Sequence, residues 1–403
     1  MRQDYTRRFD LKIAIMGFGT VGTGVEEILY KKREILRKHK LDIEIERVLI
    51  KNIGKKRNPF EKALTFTDDF DEILASDVDT VIDVTTSLEE TYQRMVALMK
   101  ANKNVLTANK AVVSKYFEEL NDLARENEVY FSYEAAVGGA IPLIHPLMEE
   151  ALFNNMDKVF GILNGTSNYI LSKMEVEGAS YEDVLKKAQD LGFAELDPTA
   201  DVGGFDSMRK IRILSSMIYN AKINEEEIPT FGIQNIKKAD FDFAKKMGYS
   251  IRMLAKSELK NGKINISVIP SFVNDDFFAK TFNEINGVKV WGENFDSYEF
   301  KGPGAGRLET AEAVVRDLLR ILSRREIPAF YDGENHYEVE NILENKFYIR
   351  CEKVSPALKD LIKFEKVCDK DHFILTKKVS LSSLKPILSD LGDFFLAEIE
   401  EDI

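Results

Sequence analysis

LKIAIMGFGTVGTGV, residues 11–25, decides the fold. A short apolar strand, 11–16, interrupted only by Lys12, meets Gly17-Phe18-Gly19-Thr20-Val21-Gly22 and passes straight into a pattern with Val21, Val25, Ile28 and Leu29 on one helical face. A glycine-rich turn alone is weak evidence. Here it follows a strand and opens a helix. The first glycine permits the tight turn, the second lets a pyrophosphate approach the backbone, and the third allows close helix–strand packing.

Downstream the same alternation repeats. Strands are expected at 43–50, 80–84, 103–106 and 129–133, with helices at 88–100 and 114–126. Strand–helix alternation implies a doubly wound parallel sheet of Rossmann type. The strand at 80–84 ends in Thr85-Thr86-Ser87. After the second strand the usual ribose-binding acid is missing. Lys51 stands there instead, followed by Lys55-Lys56-Arg57. Cations suit the 2′-phosphate of NADP(H), so NADP(H) is preferred, with NAD(H) as the alternative.

Bulk properties narrow the function. The 403 residues are long enough for two or three domains. A net charge of −12 argues against nucleic acid or an anionic membrane as partner. The basic start lacks the apolar stretch of a signal peptide, and no apolar run reaches membrane-spanning length. The two cysteines, Cys351 and Cys368, exclude a disulfide scaffold and suit reduced cytoplasmic thiols. No thiol occurs earlier, which disfavours a thiohemiacetal route. The four histidines are scattered, which disfavours zinc. His145, in an apolar run, is read as a satisfied core histidine.

The middle of the chain carries the chemistry. Residues 195–210 read ELDPTADVGGFDSMRK. The carboxylates of Glu195, Asp197, Asp201 and Asp206 can hold a substrate ammonium, and Lys210, one helical turn after Asp206, can move a proton. A solvated acidic loop is the plain alternative. Helical phase places Met208, Ile211, Leu214 and Ile218 on the core face, Arg209 and Arg212 toward water, and Lys210 apart from both arginines. A lysine partly withdrawn from water has a lowered pKa. Upstream, a strand at 159–163 enters Asn164-Gly165-Thr166-Ser167-Asn168, a helix start suited to a carboxylate. Further strands are expected at 264–269 and 288–291. A second glycine-rich turn, with Gly304 and Gly306, precedes a helix at 310–322. The tail reads as a βαββαβ ferredoxin-like unit, with strands at 346–354, 365–368, 373–379 and 394–399 and helices at 356–364 and 380–391.

Six segments in order resemble the homoserine dehydrogenase family: IAIMGFGTVGTGV (13–25), LTANKAVVS (106–114), YEAAVGGAIPLI (133–144), ILNGTSNYIL (162–171), AELDPTADVGGFDSMRKIRIL (194–214) and GPGAGRLETAEAVVRDLL (302–319). The resemblance spans about residues 11–325. It implies NAD(P)-dependent interconversion of L-homoserine and L-aspartate 4-semialdehyde, in threonine, methionine and isoleucine biosynthesis. The implied architecture is a Rossmann domain at 1–144, onto which the stretch 303–328 packs back, and an α+β substrate and dimerisation domain at 145–330. A ferredoxin-like, ACT-like module follows at 335–403.

Carried over by resemblance, Lys210 donates the proton during aldehyde reduction, and Lys110 is a second active-site lysine and the alternative donor. Glu195, Asp201, Asp206 and Thr166 meet the substrate. Gly17, Phe18, Gly19, Thr20, Val21, Gly22, Lys51, Thr85, Lys110, Gly192, Glu195, Gly304 and Gly306 meet the cofactor. Glu134, Val137, Gly139 and Ile141 match a sodium site built mainly from backbone carbonyls. A homodimer or homotetramer is implied. In the tail, the Asp-x-Pro-Gly type turn of threonine-binding ACT modules is replaced by Lys353-Val354-Ser355-Pro356-Ala357. A diverged module with little threonine response and a purely oligomerising one both fit. Two other readings are another Rossmann oxidoreductase, which would not need Lys210 beside four acids, and a non-catalytic dinucleotide sensor.

Overall fold

A computed structural model describes residues 9–322 and 331–401. The basic start and the part of the 303–328 stretch beyond Leu322 lie outside the described residues. Two compact units form: Met1–Leu152 with Ala305–Gly333, and Phe153–Gly304 with Glu334–Ile403.

The first unit is built on a parallel sheet whose strands lie in the order Thr65–Thr67, Leu41–Leu49, Phe9–Met16, Thr80–Asp83, Asn104–Thr107, Phe131–Ser132. In chain order this is 3-2-1-4-5-6, the Rossmann arrangement. The first strand is central, so both of its faces are covered. Ile13 and Ile15 pack with Val25, Leu29, Val314 and Leu318, whereas Ala14 and Met16 pack with Val81, Leu98 and Val105. Burial on both faces is why the inner part of the strand, Ile13 to Met16, reads as a continuous apolar run. The helix Arg307–Leu322 supplies Ala311, Val314 and Leu318 to the first of these clusters.

One expected helix, 114–126, is two: Lys110–Lys115 and Phe117–Glu126. Tyr116 separates them at φ −117°, ψ 31°. Its ring stacks on Tyr92 at 3.8 Å and its hydroxyl donates to Glu89 at 2.8 Å. These contacts fix a backbone conformation that helical periodicity cannot reveal.

The second unit has a mixed sheet. Its order is Phe295–Pro303, Ile285–Gly292, Met156–Ile162, Ser250–Lys260, Lys263–Val273, Phe394–Ile399, Glu344–Cys351, Asp371–Thr376, Ile362–Cys368. The last four belong to the tail, which runs βαββαβ with helices Pro356–Leu361 and Leu381–Leu388. The tail joins the sheet by parallel pairing of Glu398 with Ser271 and Ile399 with Phe272.

The long strands Ser250–Lys260 and Phe295–Pro303 escaped the sequence reading, as did the short strands Thr65–Thr67 and Glu338–Val339. The first buries Arg252, Lys256 and Ser257, which hide its apolar pattern. Arg252 is neutralised by Glu175 at 2.5 Å, and Lys256 by Glu398 at 2.6 Å and by Glu400. Among the described residues, no helix is long and apolar enough to cross a membrane.

Candidate functional site

The glycine-rich turn sits at the carboxyl end of the central strand, beside the Thr80–Asp83 strand where the chain order reverses. That switch point is where ligands of doubly wound sheets bind. Gly17 has φ +98°, and a Cβ on Gly22 would lie 2.2 Å from the Gly17 carbonyl oxygen. Protein packing therefore demands the first and third glycines. The second is different: a Cβ on Gly19 would meet no atom within 4 Å. The open space above Gly19, at the start of the helix Thr20–Lys38, fits a phosphate held by first-turn amides that lack intrahelical acceptors. Thr20 is exposed and Val21 half-buried there, and the Phe18 ring meets Phe66 edge-on at 5.3 Å.

Lys51 is largely exposed, its Nζ 3.8 Å from Glu90. Arg57 is held more firmly: its guanidinium donates to the carbonyls of Asn52 at 2.9 Å and Lys55 at 2.6 Å, and lies over Phe66.

A buried network underlies Thr85 and Lys110. Asp83 accepts from Thr85 Oγ1 at 2.5 Å and Thr107 Oγ1 at 2.9 Å. Burial pushes its carboxyl up to about 6, against the lowering effect of both hydroxyls. Asn109 caps the helix Lys110–Lys115 through Oδ1, and its amide donates to the carbonyls of Thr85 at 3.2 Å and Ser87 at 2.9 Å. Lys110 is the half-buried first residue of that helix.

In the second unit, Asp201, Asp206 and Lys210 come together. Gly204, at φ +85°, precedes the helix Phe205–Tyr219, and a Cβ on Gly203 would lie 2.5 Å from the Thr199 carbonyl oxygen. This double-glycine turn folds the short helix Thr199–Val202 tightly against the next one, so that Asp201 and Asp206 face one residue, Asn164. The Asn164 amide donates to Asp201 Oδ1 at 2.7 Å and to Asp206 Oδ2 at 2.9 Å. Lys210 Nζ donates to Asp206 Oδ2 at 2.7 Å and to the Leu163 carbonyl at 2.6 Å. Asp206, Lys210 and Asn164 are all buried.

The expectation that Arg212 faces water is overturned. It is 2% exposed and donates through Nε to the Ile223 carbonyl at 2.8 Å. The helix is covered nearly all round, so helical phase does not separate core from solvent there.

Thr166 donates to the Phe193 carbonyl at 2.7 Å and so ties down the turn that carries Gly192, at φ +78°, and Glu195. Glu195 does not join the cluster: its carboxylate is exposed and makes no hydrogen bond or ion pair among the described residues, while its backbone carbonyl accepts from Gln189 at 3.0 Å. Asp197 is likewise outside the cluster, bonded to Thr199. A Cβ on Gly304 would lie about 2.1 Å from the Asn286 amide, so this glycine answers to packing. Gly306 has φ +139° ahead of the helix Arg307–Leu322.

Glu134 is fully buried, and its carboxylate accepts from the amides of Leu143 at 2.6 Å, Ile144 at 3.2 Å and His145 at 2.9 Å. It thus caps the helix Ile144–Glu150. Burial, with Asp317 nearby, holds this carboxyl above the usual range. His145 is buried and its Nε2 pairs with Asp317 Oδ1 at 2.5 Å. Val137, Gly139 and Ile141 line the intervening buried loop, and no donor among the described residues meets their carbonyls.

Sequence reasoning missed Asn164, Asn109 and Asp83. Each pairs across tens of positions. Their only local signal is an asparagine before a helix or an acid ending an apolar strand.

The comparisons agree with this geometry. The model of the homoserine dehydrogenase NAD-binding domain matches residues 17–134, and that of homoserine dehydrogenase matches 142–319. Homoserine dehydrogenase of Bacillus subtilis is 38% identical over 77% of this chain and 73% of its own length. That of Methanocaldococcus jannaschii is 33% identical over 77% and 98%. The crystal structure of a homoserine dehydrogenase from Thiobacillus denitrificans superposes with a TM-score of 0.87, at 28% identity, over 97% of this chain and 98% of its own. The Staphylococcus aureus enzyme gives 0.78 at 32% identity, over 98% and 100%. The chain belongs to the homoserine dehydrogenase family, NAD(P)-dependent oxidoreductases that interconvert L-homoserine and L-aspartate 4-semialdehyde.

Proposed function

We propose that Lys210 is the proton donor to the carbonyl oxygen during aldehyde reduction and takes the proton back during homoserine oxidation. Lys110 is the alternative. The observation that carries this reading is the buried Lys210 ammonium, oriented by Asp206 at 2.7 Å and the Leu163 carbonyl at 2.6 Å. A lysine fixed this way can stabilise a developing alkoxide and protonate it without reorganising. Asp201 and Asp206 supply negative charge for the substrate ammonium, and we assign Thr166 and the exposed Glu195 to the same substrate.

Gly17 to Gly22, with Lys51, Thr85, Lys110, Gly192, Glu195, Gly304 and Gly306, are the residues we assign to the cofactor. Bound NADP(H) supplies or accepts the hydride at the carbon that alternates between alcohol and aldehyde. The preference for NADP(H) over NAD(H) rests on the missing ribose acid and on Lys51 and Arg57 near the end of the second strand. The acceptor-only carbonyls of Val137, Gly139 and Ile141 suit a monovalent cation such as sodium, next to Glu134.

The division of labour we infer is cofactor binding by 1–144, substrate binding and dimerisation by 145–330, and oligomerisation or a diverged effector role by 335–403. In the tail, Ser355 caps the helix Pro356–Leu361, occupying the turn where threonine-responsive modules differ. A homodimer or homotetramer in the cytoplasm is the setting, consistent with two unpaired cysteines.

The test compares homoserine with 4-hydroxybutyrate, which lacks the ammonium. The expected loss in kcat/KM is about 100-fold or more. Equal turnover of both would remove the role given to Asp201 and Asp206. In the same assay NADPH should exceed NADH in kcat/KM, and the reverse order would overturn the cofactor preference.

A further inference from the structure

We infer that Asn164 is a positioning residue of the reaction: its side-chain amide sets the spacing of Asp201 and Asp206 and, through Asp206, the place of the Lys210 ammonium. The inference rests on the assignment of Lys210 and Asp206 made above.

Asn164 lies two residues past the strand Met156–Ile162 and caps the helix Gly165–Glu177. Its Oδ1 accepts from the Ser167 amide at 2.7 Å, which fixes the orientation of the side chain. Both Nδ2 protons are then directed away from the helix, one to Asp201 Oδ1 at 2.7 Å and one to Asp206 Oδ2 at 2.9 Å. The neighbouring carbonyl, that of Leu163, takes Lys210 Nζ at 2.6 Å. Adjacent groups at one strand end therefore hold the lysine and both carboxylates.

The cap alone does not need asparagine. Serine, threonine and aspartate cap helices as well. Two carboxylates brought to one point repel each other, and a neutral group with two donors relieves this without cancelling the charge available to a substrate ammonium. Among the good capping side chains only the amide of asparagine accepts from the helix and donates twice. Serine has one proton to give. Aspartate has none when ionised and would bring a third negative charge.

The experiment compares N164S and N164D with the wild type and with K210A, in the intact protein. Both Asn164 variants keep an acceptor for the Ser167 amide, so KM for NADPH should stay near wild type in both; N164S should also keep its thermal midpoint, whereas N164D, which buries a third negative charge, is assayed well below its own midpoint. Loss of charge-assisted hydrogen bonds should lower kcat about 10-fold in N164S and about 100-fold or more in N164D. Wild-type kcat in both variants overturns the inference. So does a kcat loss that only follows a matching loss of folded protein, since that is what a cap alone predicts. K210A separates the two levels. If K210A keeps near-normal kcat, the assignment of Lys210 fails. If K210A is inactive while both Asn164 variants turn over normally, only the role of Asn164 fails.

Discussion

Lys210 Nζ lies 2.7 Å from Asp206 Oδ2, one turn apart on a helix that is buried almost all round. The same pair on an exposed helix would contribute only ~0.3–0.5 kcal/mol. Out of water the balance changes, because removing one partner strands the other charge. Asp206→Ala should therefore lower the unfolding free energy by about 3 kcal/mol, measured by urea denaturation, and raise KM for homoserine. A loss below about 1 kcal/mol would mean that water reaches the pair.

Gly22→Ala should disturb both the cofactor turn and the packing of the helix on the strand end. The added Cβ would lie 2.2 Å from the Gly17 carbonyl oxygen, which is backbone and cannot swing aside. The helix must shift from the strand end. We expect NADPH binding to weaken at least ~10-fold by fluorescence titration, with stability down by about 1–3 kcal/mol. Gly19→Ala adds a Cβ with no protein neighbour within 4 Å. It should weaken NADPH binding with little change in stability, because the space it fills is the ligand's.

Asp83 gives a pH dependence of stability. Its carboxyl titrates near 6 in the folded chain, above the 3.8 of a free aspartate, because burial disfavours the charge. The folded chain thus keeps a proton that the unfolded chain has released, and stability falls as pH rises from about 4 to 6. The cost at pH 7 is about 3 kcal/mol. Asp83→Asn should lack this part of the slope. Urea midpoints of the two proteins at pH 4.5, 5.5 and 6.5 would reveal it as a difference that grows with pH; a constant difference would contradict it.

Lys256 ties the catalytic sheet to the tail, meeting Glu398 at 2.6 Å and also Glu400. All three side chains are buried. Burial already pushes Glu398 up to about 7. Lys256→Met would leave both acids uncompensated and should destabilise the second unit by about 3–5 kcal/mol at pH 8. Lys256 holds the Glu398 pKa down, so without it this acid takes up its proton at a higher pH than in the wild type, and the deficit should shrink as pH falls from 8 toward 7. A deficit that does not change between pH 8 and pH 6 would rule out this origin.

Much of this was legible in the sequence, for physical reasons. Central parallel strands are buried on both faces, so Leu11–Met16 stands out as a short apolar run ended by Gly17. Asp206 and Lys210 are one turn apart on a single helix, so periodicity alone pairs them. What lay hidden depends on contacts distant in sequence. Asn164 looks like an ordinary helix cap until Asp201 and Asp206, some 40 positions later, fold onto its amide. The strand Ser250–Lys260 is masked by Arg252 and Lys256, whose neutralising acids lie elsewhere in the chain. Arg212 misleads because a helix enclosed by protein has no solvent face to which a cation must turn.

The central claim is that Lys210 handles the proton, and the direct measurement is NADPH oxidation with L-aspartate 4-semialdehyde by Lys210→Ala and Lys110→Ala, each shown to bind NADPH. Lys210→Ala should lose about 10²–10⁴-fold in kcat and Lys110→Ala less. A near-normal kcat in Lys210→Ala, with the large loss in Lys110→Ala, would contradict the account and move the proton transfer to Lys110.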